Sequence, residues 1–357
     1  MFRSKNVLLV FVVLMMVSAC APAVATETVT TEEPTSVAQI STPEAAEAPV
    51  TEVAETAAFP VTIAHKYGET TITEKPERIV LVGLVEQDAL LAFGVVPVAT
   101  REWWGERPGA VFEWATDELG DAPLPEVLPA NELNFEQIAA LEPDVIVGLY
   151  AGITQEEYDT LAKIAPTVAQ PAEYPDWGIP WQELTHKIGL IVGEAERADA
   201  LIAEVEAQFT VAREAHPEFA GQTGIVASTW GYPDTYWVYS SKDPRSQFLL
   251  SLGFNSVPAF DEVIGNEFGA TISREEIDML NDVNVAIWFG TEEEMSDPLY
   301  QQLAISQQGR NIVIASEAPM AFAFSFNTVL SLPYVLDGLV PQLSVAVDGD
   351  PATVYTE

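Results

Sequence analysis

The chain has 357 residues, 48% of them hydrophobic, with a formal net charge of −39 from 15 Lys and Arg against 54 Asp and Glu. That apolar content is ample for packed cores, and the length left after the N-terminal segments fits two domains better than one. The charge excludes nucleic acid and anionic membrane surfaces as partners for the body of the protein.

The N-terminus carries processing information rather than fold. Arg3 and Lys5 precede an apolar run over residues 7–17 that is too short to span a bilayer comfortably. Val17-Ser18-Ala19-Cys20 follows, so residues 1–19 read as a signal peptide and Cys20 as a lipidation site; an ordinary cleavable signal peptide is the alternative. Cys20 is the only cysteine, which favours lipid attachment and leaves no disulfide. Residues 21–58 are rich in Thr, Ala, Pro and Glu, contain no Lys, Arg or Gly, and show no helical or strand period. Residues 20–58 therefore read as a lipidated cysteine followed by a disordered, extended tether. The expected location is extracytoplasmic, anchored by lipid to the cell membrane on its periplasmic or exterior side.

Order begins near Phe59. VTIAHKYGETTIT alternates around Tyr67-Gly68 and predicts a β-hairpin. RIVLVG predicts a buried strand, residues 86–93 a short helix ended by Gly94, and VVPVAT a second strand. Helices at 133–141 and 154–164, the latter capped by Thr154 with Glu156 and Glu157 in its first turn, alternate with strands at 145–149 and 167–169. This alternation predicts a parallel, doubly wound sheet in a lobe spanning 59–180. Residues 181–192 and 194–215 read as amphipathic helices flanking Gly193. The second would run about 33 Å, long enough for a stiff spine, and residues 181–217 form the connector. A second α/β run fills 218–357, with strands at 225–229, 236–239, 283–287 and 312–315 and helices at 246–252, 274–280 and 329–340.

Two distant segments match. NFEQIAALEPDVIV starts at Asn134 and SREEIDMLNDVNVAI at Ser273. Each places a Glu (Glu136, Glu275) two residues before an Ile and five before a Leu, then runs into a β-branched strand. Two copies of one helix-then-strand unit indicate two similar lobes, although αβ units also resemble each other by physics alone.

Open parallel sheets bind ligands beyond the carboxyl ends of their strands. Arg101, Trp103 and Trp104 follow one predicted strand, Tyr150 another, Trp230 and Tyr232 a third, and Trp288 and Phe289 a fourth. These positions suit a ligand cleft or core packing; Trp104 and Trp230, in Gly-flanked loops, favour the cleft. Arg245 in SSKDPRSQ suits an anionic ligand through planar, bidentate contacts, or an ion pair with Asp243. His65, His186 and His216 lack metal-ligand spacing, and GxSxG, GxxxxGK(S/T) and GxGxxG motifs are absent from the sequence. That pattern favours binding over turnover.

The stretches FPVTIAHKYGETTITEKPERIVLVG, EQDALLAFGVVPVA, NFEQIAALEPDVIV, GITQEEYDTLAKIAPTV, SKDPRSQFLLSLGF and SLPYVLDGLVPQL together resemble a substrate-binding lipoprotein of an ABC importer. The class is the one that carries ferric siderophores, haem and cobalamin, and the resemblance is to its iron–siderophore branch. It implies a class III fold, two α/β lobes bridged by one long helix with limited hinge motion, and a ligand held in a shallow interlobe cleft without catalysis or cofactor. It also implies delivery to a permease dimer with its ATPase, with Glu136 and Glu275 matching the glutamates that dock into basic permease pockets. A loop that reads DWYG in many relatives reads EWWG here, so Trp104 offers stacking where they offer a phenol. Arg245 matches an Arg common after Asp-Pro. The expected ligand is a ferric siderophore contacted by Arg101, Trp103, Trp104, Tyr150, Trp230, Tyr232 and Arg245, with no direct metal ligand from a monomeric protein. The negative body opposes a highly anionic chelate. That favours a neutral or mildly anionic ligand, or a cleft where local positive charge dominates. Cobalamin or haem on the same fold, a metal-dependent enzyme and a surface adhesion module are the alternatives.

Overall fold

The computed structural model describes residues 58–229, 235–291 and 293–353. The signal segment, Cys20, the tether through residue 57, Trp230 and Tyr232 lie outside the described residues.

Strands β1 (Val61–His65) and β2 (Gly68–Ile72) form the expected antiparallel hairpin, with Ile63 and Ile72 buried. The N-terminal lobe is then built on β3 (Ile79–Leu81), β4 (Ala99–Arg101), β5 (Glu126–Leu128), β6 (Val145–Val147) and β7 (Thr167–Val168), all parallel, in the order β5-β4-β3-β6-β7. Helices α1 (Glu86–Ala92), α2 (Thr116–Leu119), α3 (Phe135–Ala140) and α4 (Gln155–Leu161) make the crossovers. The sequences IVL and VIV in β3 and β6 are wholly buried, as strands covered on both faces require. The order reverses between β3 and β6, which makes the sheet doubly wound. Strand β4 is shorter and later than VVPVAT predicts: Pro97 has no N–H to give a ladder, and pairing starts once Val98 N–H reaches Ile79 O.

Helix α5 (Trp181–Val192) ends at Gly193, whose φ of 78° suits glycine. Helix α6 (Ala195–Ala215) is the spine; its 21 residues span about 32 Å. An arginine pins it at each end. Arg197 donates to Ala92 O and Phe93 O at the end of α1, and Arg213 donates to Ser251 O at the end of α7 (Pro244–Ser251). Both cations sit on helix C-terminal carbonyls, where the dipole favours them.

The C-terminal lobe holds β8 (Gly224–Ser228), β9 (Thr235–Tyr239), β10 (Gly269–Ser273), β11 (Val285–Phe289) and β12 (Asn311–Ile314) in the order β10-β9-β8-β11-β12. Strands β8, β11 and β12 are parallel, whereas β9 runs antiparallel to both of its neighbours, β8 and β10. The connection from Ser228 to Thr235 is too short for a crossover helix, so β9 has to turn back. Around this sheet lie α7, α8 (Pro258–Ile264), a 3-10 helix at Arg274–Asp282, α9 (Ala304–Gln307), α10 (Pro319–Phe326) and α11 (Ser331–Asp348). The last helix continues past the expected end at Val340 and through Pro341.

The matched segments occupy equivalent places. Strands β6 and β11 are each fourth in their sheets. Asn134 caps α3, and Ser273 forms a capping box with Glu276 on the 3-10 helix. Glu136 and Glu275 are each the second residue after the cap, and both are exposed.

The lobes share one continuous core. Phe322, Phe324 and Phe326 of α10 join Phe112 of the N-terminal lobe, Ile188 of α5 and Phe248 of α7 in a single buried cluster. Beside it, the fully buried Asp88 of α1 accepts from the Thr328 hydroxyl and, at 2.7 Å, from the Trp114 indole, while its Oδ1 has no partner among the described residues. Burial pushes the Asp88 carboxyl up from 3.8 to about 7, against the pull of those two donors. Between those values the folded chain keeps a proton that the unfolded chain has released. The contribution is therefore complete below the unfolded value and is lost as pH rises through 7. Asp88→Asn should flatten the decline in unfolding free energy from about pH 4 to about pH 7, read by urea denaturation. An unaltered slope would acquit Asp88.

Candidate binding cleft

The carboxyl ends of the two sheets face a gap between the lobes, and the gap holds two chambers. One, of about 210 Å³, is lined by Trp103, Trp104, Ser228, Tyr239, Arg245, Phe289, Ser316, Glu317, Ala321 and Ser325. The other, of about 370 Å³, lies toward the spine; Val85, Tyr150, Tyr174, Trp181, Phe209, Lys242, Phe248 and Phe326 are among its walls. Trp103 lines the first, and its ring stands 6.1 Å from Tyr150 and 5.5 Å from Phe326, which line the second.

The tryptophan loop is held by aromatic packing. Trp103 and Trp104 meet edge to face at 4.4 Å, and Trp104 lies 4.9 Å from Phe322. Gly105, at φ 96°, makes this approach possible, since a Cβ there would lie 2.8 Å from the Phe322 ring. Tyr150 is fixed from behind. Glu86, fully buried, accepts from the backbone N–H of Tyr150 at 2.8 Å and of Val85 at 3.0 Å, tying the end of β6 to the start of α1. Gly83 leaves the room its carboxylate occupies. Burial raises the Tyr150 phenol above its ordinary range, more than the nearby Arg245 lowers it.

Arg245 is held as a fork. Its Nε and Nη2 each donate at 2.7 Å to the two oxygens of Asp243, which is 1% exposed and also caps α7. Its guanidinium lies 4.0 Å from the centre of the Tyr239 ring. Burial works against the charge, but the Asp243 carboxylate and the Tyr239 ring outweigh it and hold the group protonated above its ordinary value. Of the two sequence readings of Arg245, the ion pair with Asp243 is the one the structure contains, and the paired side chain also lines the first chamber.

The structure brings Trp103, Trp104, Tyr150 and Arg245 together. It places Arg101 elsewhere: its guanidinium donates to Ala130 O and Val82 O, bracing strand ends. Trp288 is fully buried with its indole N–H on Tyr300, so it belongs to the C-terminal core, while its neighbour Phe289 reaches the cleft. Tyr239, Glu317, Phe322 and Phe326 were not singled out from the sequence. Tyr239 carried a usable signal, as the last residue of a predicted strand; α10 carried none. His65 meets Thr70, His186 meets Asp199 and His216 meets Glu218, and no cluster suited to a metal exists among the described residues.

The chain belongs to the periplasmic binding protein family, whose model matches residues 91–309, more than half of its length. Among curated proteins it is similar to the ferric-anguibactin-binding protein FatB of Vibrio anguillarum, 23% identical over 312 residues, 84% of this chain and 91% of FatB. Among solved structures it is similar to a periplasmic solute binding protein from Mycobacterium smegmatis, at 35% identity, 80% and 98% coverage and a TM-score of 0.72. Streptococcus pneumoniae PiaA in complex with ferrichrome is similar at 29% identity, 81% and 99% coverage and a TM-score of 0.71.

Removing the Arg245 side chain leaves Asp243 buried and unpaired. Arg245→Ala should therefore lower the unfolding free energy by about 3 kcal/mol. Urea titration checks this, and a loss near zero would show that the pair contributes nothing to holding the fold.

Proposed function

We propose that this protein captures a ferric siderophore between its lobes and delivers it to the permease of an ABC importer, without transforming it. The observation that carries the reading is the convergence of Trp103, Trp104, Tyr239, Phe289 and the Arg245 fork on one interlobe chamber, in a family of solute-binding proteins. Such a surface suits a chelate rim. Ferric ion prefers hard oxygen donors supplied by the siderophore, so the protein offers rings and one guanidinium rather than ligands to the metal. The names of FatB and of PiaA with ferrichrome support this cargo.

Several finer features belong to the same proposal. Cys20 carries a lipid that holds a monomeric chain at the extracytoplasmic face of the membrane; no described helix is long and apolar enough to cross one. Glu136 and Glu275 meet basic pockets on a two-fold permease dimer served by its ATPase. Their equivalent positions at the starts of equivalent helices support this, since a two-fold partner needs two equivalent contacts.

Ferric siderophores should quench the intrinsic tryptophan fluorescence at micromolar concentrations, because Trp103 and Trp104 line the chamber. A chain that no ferric siderophore quenches, and that instead purifies coloured with haem or cobalamin, would replace the cargo assignment. The double variant Glu136→Ala/Glu275→Ala should bind ligand normally and lose import; transport at the original rate would remove the docking role.

A further inference from the structure

The siderophore reading leaves the chemical class of the chelate open, and the charges of the cleft narrow it. Arg245 is the one cation lining the Trp104 chamber among the described residues, and both oxygens of the buried Asp243 already take its charge. Glu317, exposed at the rim of the same chamber, adds a negative charge. Segment 230–234, outside the described residues, reads Trp-Gly-Tyr-Pro-Asp and so contains no Lys or Arg. Lys242 lines the other chamber, with its ammonium on Gly265 O and Asn266 Oδ1. Counting Arg245, Asp243 and Glu317, the chamber is net negative, and it sits in a chain with a formal charge of −39.

We infer that this cleft selects ferric complexes of zero or positive net charge, the trihydroxamate class, and discriminates against polyanionic catecholate and carboxylate complexes. The inference rests on the siderophore reading above. Three hydroxamates, each singly charged, neutralise Fe(III); three catecholates, each doubly charged, leave a trianion. A trianion in the Trp104 chamber meets no uncompensated cation among its described lining residues, since Lys242 lines the other chamber, and it meets Glu317 and the long-range field of an acidic body. A neutral complex loses nothing to that field. It still gains ring contact from Trp103, Trp104, Tyr239 and Phe289, and a donor from Arg245, whose Nη1 bonds no acceptor among the described residues. The fork thus converts Arg245 from a charge into a fixed hydrogen-bond donor.

The test measures dissociation constants by tryptophan quenching for the intact chain with a neutral ferric trihydroxamate and a ferric tris-catecholate. The trihydroxamate should bind at least about tenfold tighter at low salt, and the gap should narrow as added salt shortens the Debye length from about 10 Å toward 3 Å. Glu317→Gln removes one charge facing three, and should shift the affinity ratio toward the trianion by about tenfold at low salt. A trianion that binds as tightly as the neutral complex in the unaltered protein, or a ratio unmoved in Glu317→Gln, overturns the charge selection and leaves the siderophore reading standing. Binding of neither complex overturns both.

Discussion

The width of the cleft is set by a core that the two lobes share. Phe322 and Phe326 come from the C-terminal lobe, yet their rings lie against Phe112, Trp103 and Trp104 of the N-terminal lobe. Swinging the lobes apart would return these rings to water at a cost of about 1.5–3 kcal/mol for each large side chain. The spine adds to this, because Arg197 and Arg213 fasten its two ends to helices of different lobes. Asn327, at the end of α10, donates to Pro244 O, and the adjacent Thr328 donates to Asp88, so one corner of chain grips both lobes. A ligand of this protein therefore meets a groove that is largely formed before it arrives.

A pre-formed groove changes what its polar groups have to do. Arg245 is neutralised in advance by a carboxylate that is itself buried. An ion pair of this kind contributes little net stability, since desolvation offsets attraction. Its value is geometric. The fork, the Tyr239 ring beneath it and the cap that Asp243 supplies to α7 fix one guanidinium in one orientation at the centre of the cleft.

Much of this was legible in the sequence, and what was not has identifiable causes. The hairpin, α1, α5 and α6 follow from alternation, helical stripes and glycine stops, and α5 lies where its period put it. The antiparallel β9 follows from a connection too short for a crossover, since residues 229–234 leave no room for a helix. Helix α10 was missed because Pro319–Phe326 is buried on nearly every side and has no polar face to reveal a period. The same cause hid Phe326 as a cleft residue and Phe322 as the ring that supports Trp104. Arg101 shows the converse failure. A cation after a strand suits a ligand and suits the carbonyls of neighbouring strand ends equally well, and only the fold shows that Ala130 O and Val82 O take it.

The repeat that links the two halves also links the two surfaces of each lobe. Strand β6 leads to Tyr150, three residues on, at the cleft, and the helix before it carries Glu136 in its first turn; strand β11 ends in Phe289 at the cleft, and the 3-10 helix before it carries Glu275 in its first turn. Each αβ unit thus joins one cleft ring to one exposed carboxylate through a few residues of regular structure. With the lobes sharing a core, the spacing of the two carboxylates is nearly fixed whether or not the cleft is filled. A partner that senses loading through that spacing would have to read a small displacement.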